Sequence, residues 1–375
     1  MPMAIFGKKS LPEKKRENLA RAQENLKAGR AQVSHFPLVI YLEPASVCNL
    51  ACPMCPVAMG ASDYQYQDKF LDHHLIEAME EPLRSALRCF MSGGGEPFLH
   101  PYFMTLLELV RTYQPEIIFN TNGTRINRET ALYLVKLSIN TISFSIDAVS
   151  PEKYRAIRKG AELDQVLEAI ILIRSEKKKL GVEKPYLNMQ FTLMKENLEE
   201  LKATVQFAYS LGINHLVIEP LSPIFSRDQT YREFFQNNYV PPDPELTATL
   251  KKLKAQAKTR LSFSSHYLEQ SRFPLRCIQP WINFGVRTDA RIFLCCGTNE
   301  KMGWLRPGKE ESGKREEGKE TGNEGRKYAD FQEIWNGPAY QEFRAGIASG
   351  KYPESCQLCL EEARSPWFNS ELLGQ

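Results

Sequence analysis

Apolar residues in this chain fall into short runs that alternate with stretches of helical spacing. The runs "LVIYLE" (38–43), "LRCFMS" (87–92), "EIIFNT" (116–121), "TISFSI" (141–146), "YLNMQFTLM" (186–194) and "NHLVIEP" (214–220) read as strands. Between them, residues 72–86, 102–113, 127–137, 164–180 and 197–211 repeat apolar positions at intervals of three and four, as helices do. Short continuous apolar runs separated by helices indicate parallel strands with covered faces. Six such units predict an α/β fold, a partial (β/α)6 barrel of the TIM type, with a doubly wound sheet as the competing arrangement.

The pattern also divides the chain. Residues 1–36 read as an N-terminal helical extension, 37–222 as the barrel, and 223–276 as a connector with a helix at 244–259. Residues 277–375 form a smaller C-terminal domain. It opens with a hairpin that turns near Asp289–Ala290, and its helical segment around 331–349 is interrupted at Gly337–Pro338. Residues 306–327, rich in glycine and charge, are expected to be a flexible loop.

Composition narrows the function. At 375 residues, 42% hydrophobic and 25% charged, the chain has the make-up of a globular protein with a sizeable core. A net charge of +3 is too weak a bias to imply nucleic acid. No apolar run reaches the length of a membrane span, and the start lacks the apolar stretch of a secretory signal, so a cytoplasmic protein is expected. Nine cysteines then point to metal rather than to disulfides, because eight of them cluster: Cys48, Cys52 and Cys55; Cys277; Cys295 and Cys296; Cys356 and Cys359.

The polar residues gather behind the strands. "CNLACPMC" follows the first, "GGGEP" the second, "NTNGT" the third, and "SIDA" closes the fourth. Sites in parallel α/β folds form at the carboxyl ends of strands, so these four segments should converge. Three thiolates without a nearby histidine or fourth cysteine do not complete a structural zinc site. On a 4Fe–4S cluster they leave one iron without a protein ligand, open to a small molecule. Cys89, inside the second strand, reads as a core residue.

C-x3-C-x2-C behind the first strand, with "GGGEP" behind the second, resembles the radical S-adenosylmethionine (radical SAM) enzymes over residues 38–220. The resemblance implies that Cys48, Cys52 and Cys55 hold a 4Fe–4S cluster whose open iron chelates SAM. Reductive cleavage of SAM to a 5′-deoxyadenosyl radical and abstraction of a substrate hydrogen atom would follow. It also implies SAM contacts at Met54, Gly94, Gly95, Glu96, Ser145, Asp147 and Arg158. Met54 replaces an aromatic residue usual in the family, and Ala148 stands where many members have glycine. Asn120 and Asn122 flank the same mouth, but Asn-Gly is a common turn pair, and the turn reading leads there.

The later cysteines resemble the SPASM/twitch group of that family. Cys277, Cys295, Cys356 and Cys359 would ligate one auxiliary 4Fe–4S cluster, since no cysteine follows Cys359; a four-cysteine zinc site is the alternative. Two 4Fe–4S clusters and SAM are thus the expected cofactors. Cys296 is a candidate hydrogen-atom donor; the other catalytic residues are not legible. The implied function is an oxidoreductase-like enzyme that modifies a small molecule, because strand one begins too early to leave room for a peptide-leader domain. Redox-neutral coupling or epimerisation, and peptide modification, are the alternatives. A non-catalytic iron–sulfur carrier or a zinc-stabilised binding protein is the reading of another class. Reduced flavodoxin or ferredoxin is the expected electron donor. Tyr64, Tyr66, His73, His74, Tyr231, Arg232 and His266 could line a substrate pocket, though each is more often surface or packing.

Overall fold

The computed structural model describes residues 11–61, 64–66, 68–222, 228–257, 261–265, 267–268, 277–295, 302–307, 328–353 and 356. Cys296, Cys359, His266 and nearly all of the charged segment 306–327 lie outside these residues.

The six strands expected from the pattern form: β1 (Val39–Leu42), β2 (Arg88–Met91), β3 (Glu116–Thr121), β4 (Thr141–Ser145), β5 (Tyr186–Leu193) and β6 (His215–Pro220). Two further parallel strands extend them, β7 (Ser262–Ser265) beyond β6 and β8 (Asn283–Val286) beside β1. Short antiparallel β9 (Ile292–Phe293) closes the order β7-β6-β5-β4-β3-β2-β1-β8-β9. The result is a partial barrel of mostly parallel strands with helices on one face.

Two differences from the sequence reading have physical causes. β7, "SFSS", is short and mostly polar, so it carries no apolar run to detect. β8 was expected in a separate domain, but its register runs Val39 to Asn283 through Leu42 to Val286, so it is an integral strand of the barrel sheet. The hairpin turn does fall where expected. Ala290 adopts φ 64, the left-handed conformation that glycine usually supplies.

The helices are α1 (Glu13–Lys27), α2 (His73–Glu77), α3 (Glu80–Ser85), α4 (Phe103–Thr112), α5 (Arg128–Lys136), α6 (Pro151–Ile157), α7 (Leu163–Leu180) and α8 (Leu201–Ser210). After β6 come α9 (Gln229–Asn238), α10 (Pro244–Ala257), α11 (Gln279–Ile282), α12 (Phe331–Trp335) and α13 (Pro338–Ala348). The 72–86 segment divides into α2 and α3, and residues 195–200 form a 3-10 turn before α8. The break at Gly337–Pro338 separates α12 from α13, and Pro338 sits at a helix start, where its missing N–H costs nothing. α7 is closed by Gly181 in the left-handed conformation, with lysines in its last turn facing the negative helix end.

The sheet has two unlike faces. Ile117, Phe119, Ile142, Phe144, Leu187, Met189, Phe191, Leu216 and Ile218 point one way and are fully buried in the core. The intervening residues point into the concave side and are largely polar: Asn120, Ser143, Ser145, Asn188, Gln190, His215 and Ser264. Alternation of period two makes that separation automatic.

The N- and C-terminal segments pack together. His35 Nε2 meets the Trp281 carbonyl at 2.7 Å, and Trp335 Nε1 donates to the His35 carbonyl at 2.7 Å. Buried Arg344 donates to the carbonyls of Ala31, Pro280 and Trp335 at 2.9–3.0 Å. Three backbone acceptors give its charge partial compensation, with no counter-ion among the described residues.

Candidate active site

The cysteine loop follows β1 directly. Its backbone is fixed at several points: Cys55 N–H donates to the Cys52 carbonyl at 3.0 Å, and Ala51 N–H to the Lys159 carbonyl at 2.8 Å. Cys48 Sγ accepts the Leu50 N–H at 3.4 Å and lies 3.8 Å from Asn122 Nδ2. Cys52 Sγ lies 4.0 Å from Arg158. Cys55 is near enough to raise the pKa of both Cys48 and Cys52, and none of the three is in a disulfide. Burial is the larger cause, lifting Cys48 and pushing Cys52 up to about 11. Buried thiols of this kind ionise when a cation coordinates them. Among the described residues, the one group of such side chains with all ligand atoms within 4.8 Å is Asp72, His73 and His74. Three thiols with no fourth cysteine or histidine beside them in the loop suit a cluster better than a four-coordinate zinc ion.

The glycine-rich segment lies against this loop. Gly95 N–H donates to the Ala45 carbonyl at 3.0 Å and Glu96 N–H to the Val47 carbonyl at 2.9 Å. A Cβ on Gly95 would meet the Val47 oxygen at 2.3 Å and the Ala45 oxygen at 2.5 Å. Only glycine permits that approach. Glu96 is buried, and its carboxylate binds the end of β3: Oε1 accepts from Thr121 Oγ1 at 2.7 Å and Phe98 N–H at 3.3 Å, and Oε2 from Asn122 N–H at 2.8 Å. Each carboxylate oxygen has two lone pairs, so Oε2 retains one acceptor site. Burial raises the Glu96 pKa, and those three hydrogen bonds and Arg158 pull it back.

Asp147 and Arg158 form a buried ion pair at 2.5 Å. Asp147 also accepts the Thr192 N–H at 2.7 Å. Burial works against the Arg158 charge, but Asp147 outweighs it and holds the guanidinium protonated. Arg158 Nε is buried without a partner. Asp147 thus anchors Arg158 beside Cys52. Ser145 ends β4 on the concave face, half-buried, and Met54 is buried in the loop.

Sequence reasoning undervalued two residues. Asn122, read mainly as a turn, has its amide 3.1 Å from Asn49 Oδ1 and against Cys48. Glu43, read as the end of a strand, is buried at the mouth. Its Oε1 accepts the Gly94 N–H at 2.6 Å, and a Cβ on Gly93 would fall 2.2 Å from its Cγ. Burial raises its pKa; the Arg287 guanidinium and the Gly94 and Thr288 N–H groups lower it in part. The available signal was an acid closing an apolar strand immediately before the cysteine loop.

Of the remaining candidates, Tyr64 and Tyr66 reach the site: the Arg287 guanidinium lies 5.5 and 5.1 Å from their ring centroids and 5.0 Å from that of Phe293. His73 is exposed on α2. Tyr231 is buried, its hydroxyl donating to the Ser222 carbonyl at 2.6 Å. Cys277 precedes α11 and Cys295 follows β9; both are half-buried, as is Cys356. Cys89 is fully buried, as expected of a core residue.

A partial barrel with a three-thiol loop behind β1 and a glycine-rich acceptor behind β2 defines an iron–sulfur enzyme of the SAM-dependent type. Family models agree: residues 42–208 match the Radical SAM superfamily and residues 277–360 an iron–sulfur cluster-binding domain, SPASM. The chain carries a Radical SAM domain and a SPASM-type iron–sulfur region, so its cofactors are SAM and iron–sulfur clusters. The chain is 28% identical over 191 residues to the tungsten-containing aldehyde ferredoxin oxidoreductase cofactor-modifying protein of Pyrococcus furiosus, covering 49% of this chain and 52% of that one. It is 28% identical over 134 residues to the mycofactocin maturase MftC of Mycobacterium tuberculosis, covering 36% and 34%. The chain thus spans about half the length or less of these curated relatives. Streptococcus suis SuiB bound to S-adenosylmethionine shares the fold, with a TM-score of 0.62 at 16% identity over 88% of this chain and 72% of that one. Among the described residues, no helix is long and apolar enough to cross a membrane.

Proposed function

We propose that this protein binds a 4Fe–4S cluster through Cys48, Cys52 and Cys55, docks SAM on it, and removes a hydrogen atom from a small molecule that it oxidises or otherwise modifies. When bound, the cluster and SAM together supply one-electron cleavage of a carbon–sulfur bond and, from it, a hydrogen-abstracting carbon radical. The chain's own part is to hold and orient. The Gly94–Gly95 backbone lies close against the cysteine loop, and the free lone pair of Glu96 Oε2 would accept the SAM ammonium. Arg158, fixed by Asp147, presents positive charge beside Cys52, where it would face the SAM carboxylate. Met54 and Ser145 would contact the remainder of SAM. Cys277, Cys295, Cys356 and Cys359 would hold one auxiliary cluster as electron acceptor. Reduced flavodoxin or ferredoxin would be the donor.

The observation that carries this reading is the convergence of the cysteine loop, Glu96 and Asn122 from the ends of β1, β2 and β3 with Asp147 behind β4, whose partner Arg158 caps α6. Anaerobically reconstituted protein given dithionite and SAM is expected to form 5′-deoxyadenosine. The Cys48→Ala/Cys52→Ala/Cys55→Ala variant should lose that product and one cluster's iron while keeping the auxiliary iron. An unchanged iron content, or no 5′-deoxyadenosine from the wild type, refutes it. Product mass separates outcomes: loss of two hydrogens marks oxidation, an unchanged mass a redox-neutral reaction.

A further inference from the structure

Three consecutive N–H groups behind β2 are bonded to alternate residues behind β1. Gly94 N–H donates to Glu43 Oε1 at 2.6 Å, Gly95 N–H to the Ala45 carbonyl at 3.0 Å and Glu96 N–H to the Val47 carbonyl at 2.9 Å. The second and third rungs are backbone to backbone, so no substitution of their acceptors removes them. The first depends on a side chain. Glu43 is 2% exposed, and its own N–H donates to the Val286 carbonyl of β8 at 3.0 Å. The Arg287 guanidinium and the Thr288 N–H, from the end of β8, act on the same carboxylate. Arg287 lies in turn over the rings of Tyr64, Tyr66 and Phe293. One buried acid thus joins the glycine segment to β1 and β8.

A hydrogen bond to a backbone N–H fixes the plane of its peptide. In a trans peptide the N–H and the preceding C=O point in opposite directions. With the N–H groups of 94, 95 and 96 turned to the β1 side, the carbonyls of Gly93, Gly94 and Gly95 form a row on the other. No donor among the described residues bonds any of the three oxygens, and Gly93 is exposed while Gly94 and Gly95 are half-buried. The peptide between Gly93 and Gly94 is the least restrained of the set, because glycine on both sides tolerates its rotation. Its anchor is Glu43. The fit is close: a Cβ on Gly93 would fall 2.2 Å from Glu43 Cγ, and one on Gly94 2.7 Å from Val57 Cγ2.

We propose that Glu43 is a positioning residue for SAM: by anchoring the Gly94 N–H it keeps the carbonyl row of Gly93–Gly95 turned toward the bound molecule. Its effect passes through the backbone, and the carboxylate touches neither SAM nor the reacting atoms. A row of carbonyl oxygens suits a cationic group, because each can accept a charge-assisted hydrogen bond. Arg287 holds the carboxylate from the β8 side, so the grip on SAM also depends on the strand that leads into the SPASM-type region. This assignment deepens the SAM-docking reading above and rests on it.

The test uses anaerobically reconstituted holoprotein. Equilibrium binding of SAM, and the change SAM makes in the electron paramagnetic resonance spectrum of the dithionite-reduced protein, are measured beside iron content. Glu43→Ala removes the first rung, so SAM affinity should fall about tenfold while iron content holds. Glu43→Gln keeps an acceptor oxygen at the same reach and should bind SAM within about threefold of the wild type. An alanine variant that binds SAM like the wild type, a glutamine variant as weak as the alanine one, or affinity lost only in step with iron overturns the proposal. A crystal of the wild type with SAM needs no variant to fold. It should keep the Gly94 N–H on Glu43 and put at least one of the three carbonyls within hydrogen-bond distance of SAM; a row turned away from SAM overturns the proposal equally. Wild-type protein that forms no 5′-deoxyadenosine sinks the radical reading and this assignment with it. Normal cleavage by the wild type with an unaffected alanine variant sinks the role of Glu43 alone.

Discussion

Asp147→Asn isolates the buried ion pair next to the cysteine loop. The substitution keeps the side chain's shape, and its Oδ1 still accepts the Thr192 N–H, so only the charge opposite Arg158 is lost. Asp147 is fully buried and the Arg158 side chain is 15% exposed, so water does little to replace the lost partner. The remaining neighbours do not replace it either. Burial holds the Tyr154 hydroxyl, pushed up to about 12, protonated and uncharged. Breaking a buried pair from one side costs about 3–5 kcal/mol. At ~2.1 cal/mol/K of unfolding entropy per residue, that is a drop in Tm of roughly 4–6 °C for a chain this long. Asp147→Asn combined with Arg158→Met removes both charges at nearly constant volume and should recover most of the loss, giving a coupling of at least ~2 kcal/mol in the double-mutant cycle. Thermal melts of the anaerobically reconstituted proteins supply all four corners. A single variant melting within about 1 °C of the wild type, or a double variant no better than the single, would refute the argument that this pair anchors Arg158.

Other expectations follow from the same geometry. Gly95→Ala places a methyl against two carbonyl oxygens of the loop that carries Cys48, so it should cost about 1–3 kcal/mol and lower iron content on reconstitution; unchanged iron speaks against the close packing. Glu43→Gln tests a titration. Burial raises the folded pKa of Glu43 above 4.5, so the carboxyl's contribution is fully present below that pH and lost as pH rises through the folded value. The stability of Glu43→Gln relative to wild type should therefore grow with pH across that window and then level off; urea titrations showing a pH-independent difference count against it. Ala290→Gly relieves a left-handed alanine at the hairpin turn and should stabilise by about 1 kcal/mol, read as a small rise in Tm; a fall would mean that the methyl's packing outweighs the backbone strain.

The barrel strands β1–β6 were legible because each is a short apolar run bounded by polar turns, and the cysteine loop because its spacing is so restrictive. β7 was not, since "SFSS" lacks the apolar residues that mark a strand. β8 was found, but its place beside β1 was not: a hydrogen-bonding partner more than two hundred positions away leaves no trace in local periodicity. The same limit hid the Asp147–Arg158 pairing: the sequence names each residue singly, but only the fold shows that they bind each other. Glu43 escaped because an acid at a strand end looks like a solvated terminus until Gly93, Gly94 and Arg287 are seen packed round it. Asn122 was outweighed by a turn reading that is correct as far as it goes, since its side chain does cap its own loop through Thr124.

The parallel pairing of β1 with β8 also sets a timetable for synthesis. Leu42 leaves the ribosome early, yet the strand that covers its outer edge ends at Val286. At ~5–20 residues per second, that edge waits on the order of tens of seconds for its neighbour. An open strand edge is a template for wrong partners, and here it leads straight into the loop of Cys48, Cys52 and Cys55. Truncated or stalled nascent chains ending before β8 should therefore be especially prone to self-association.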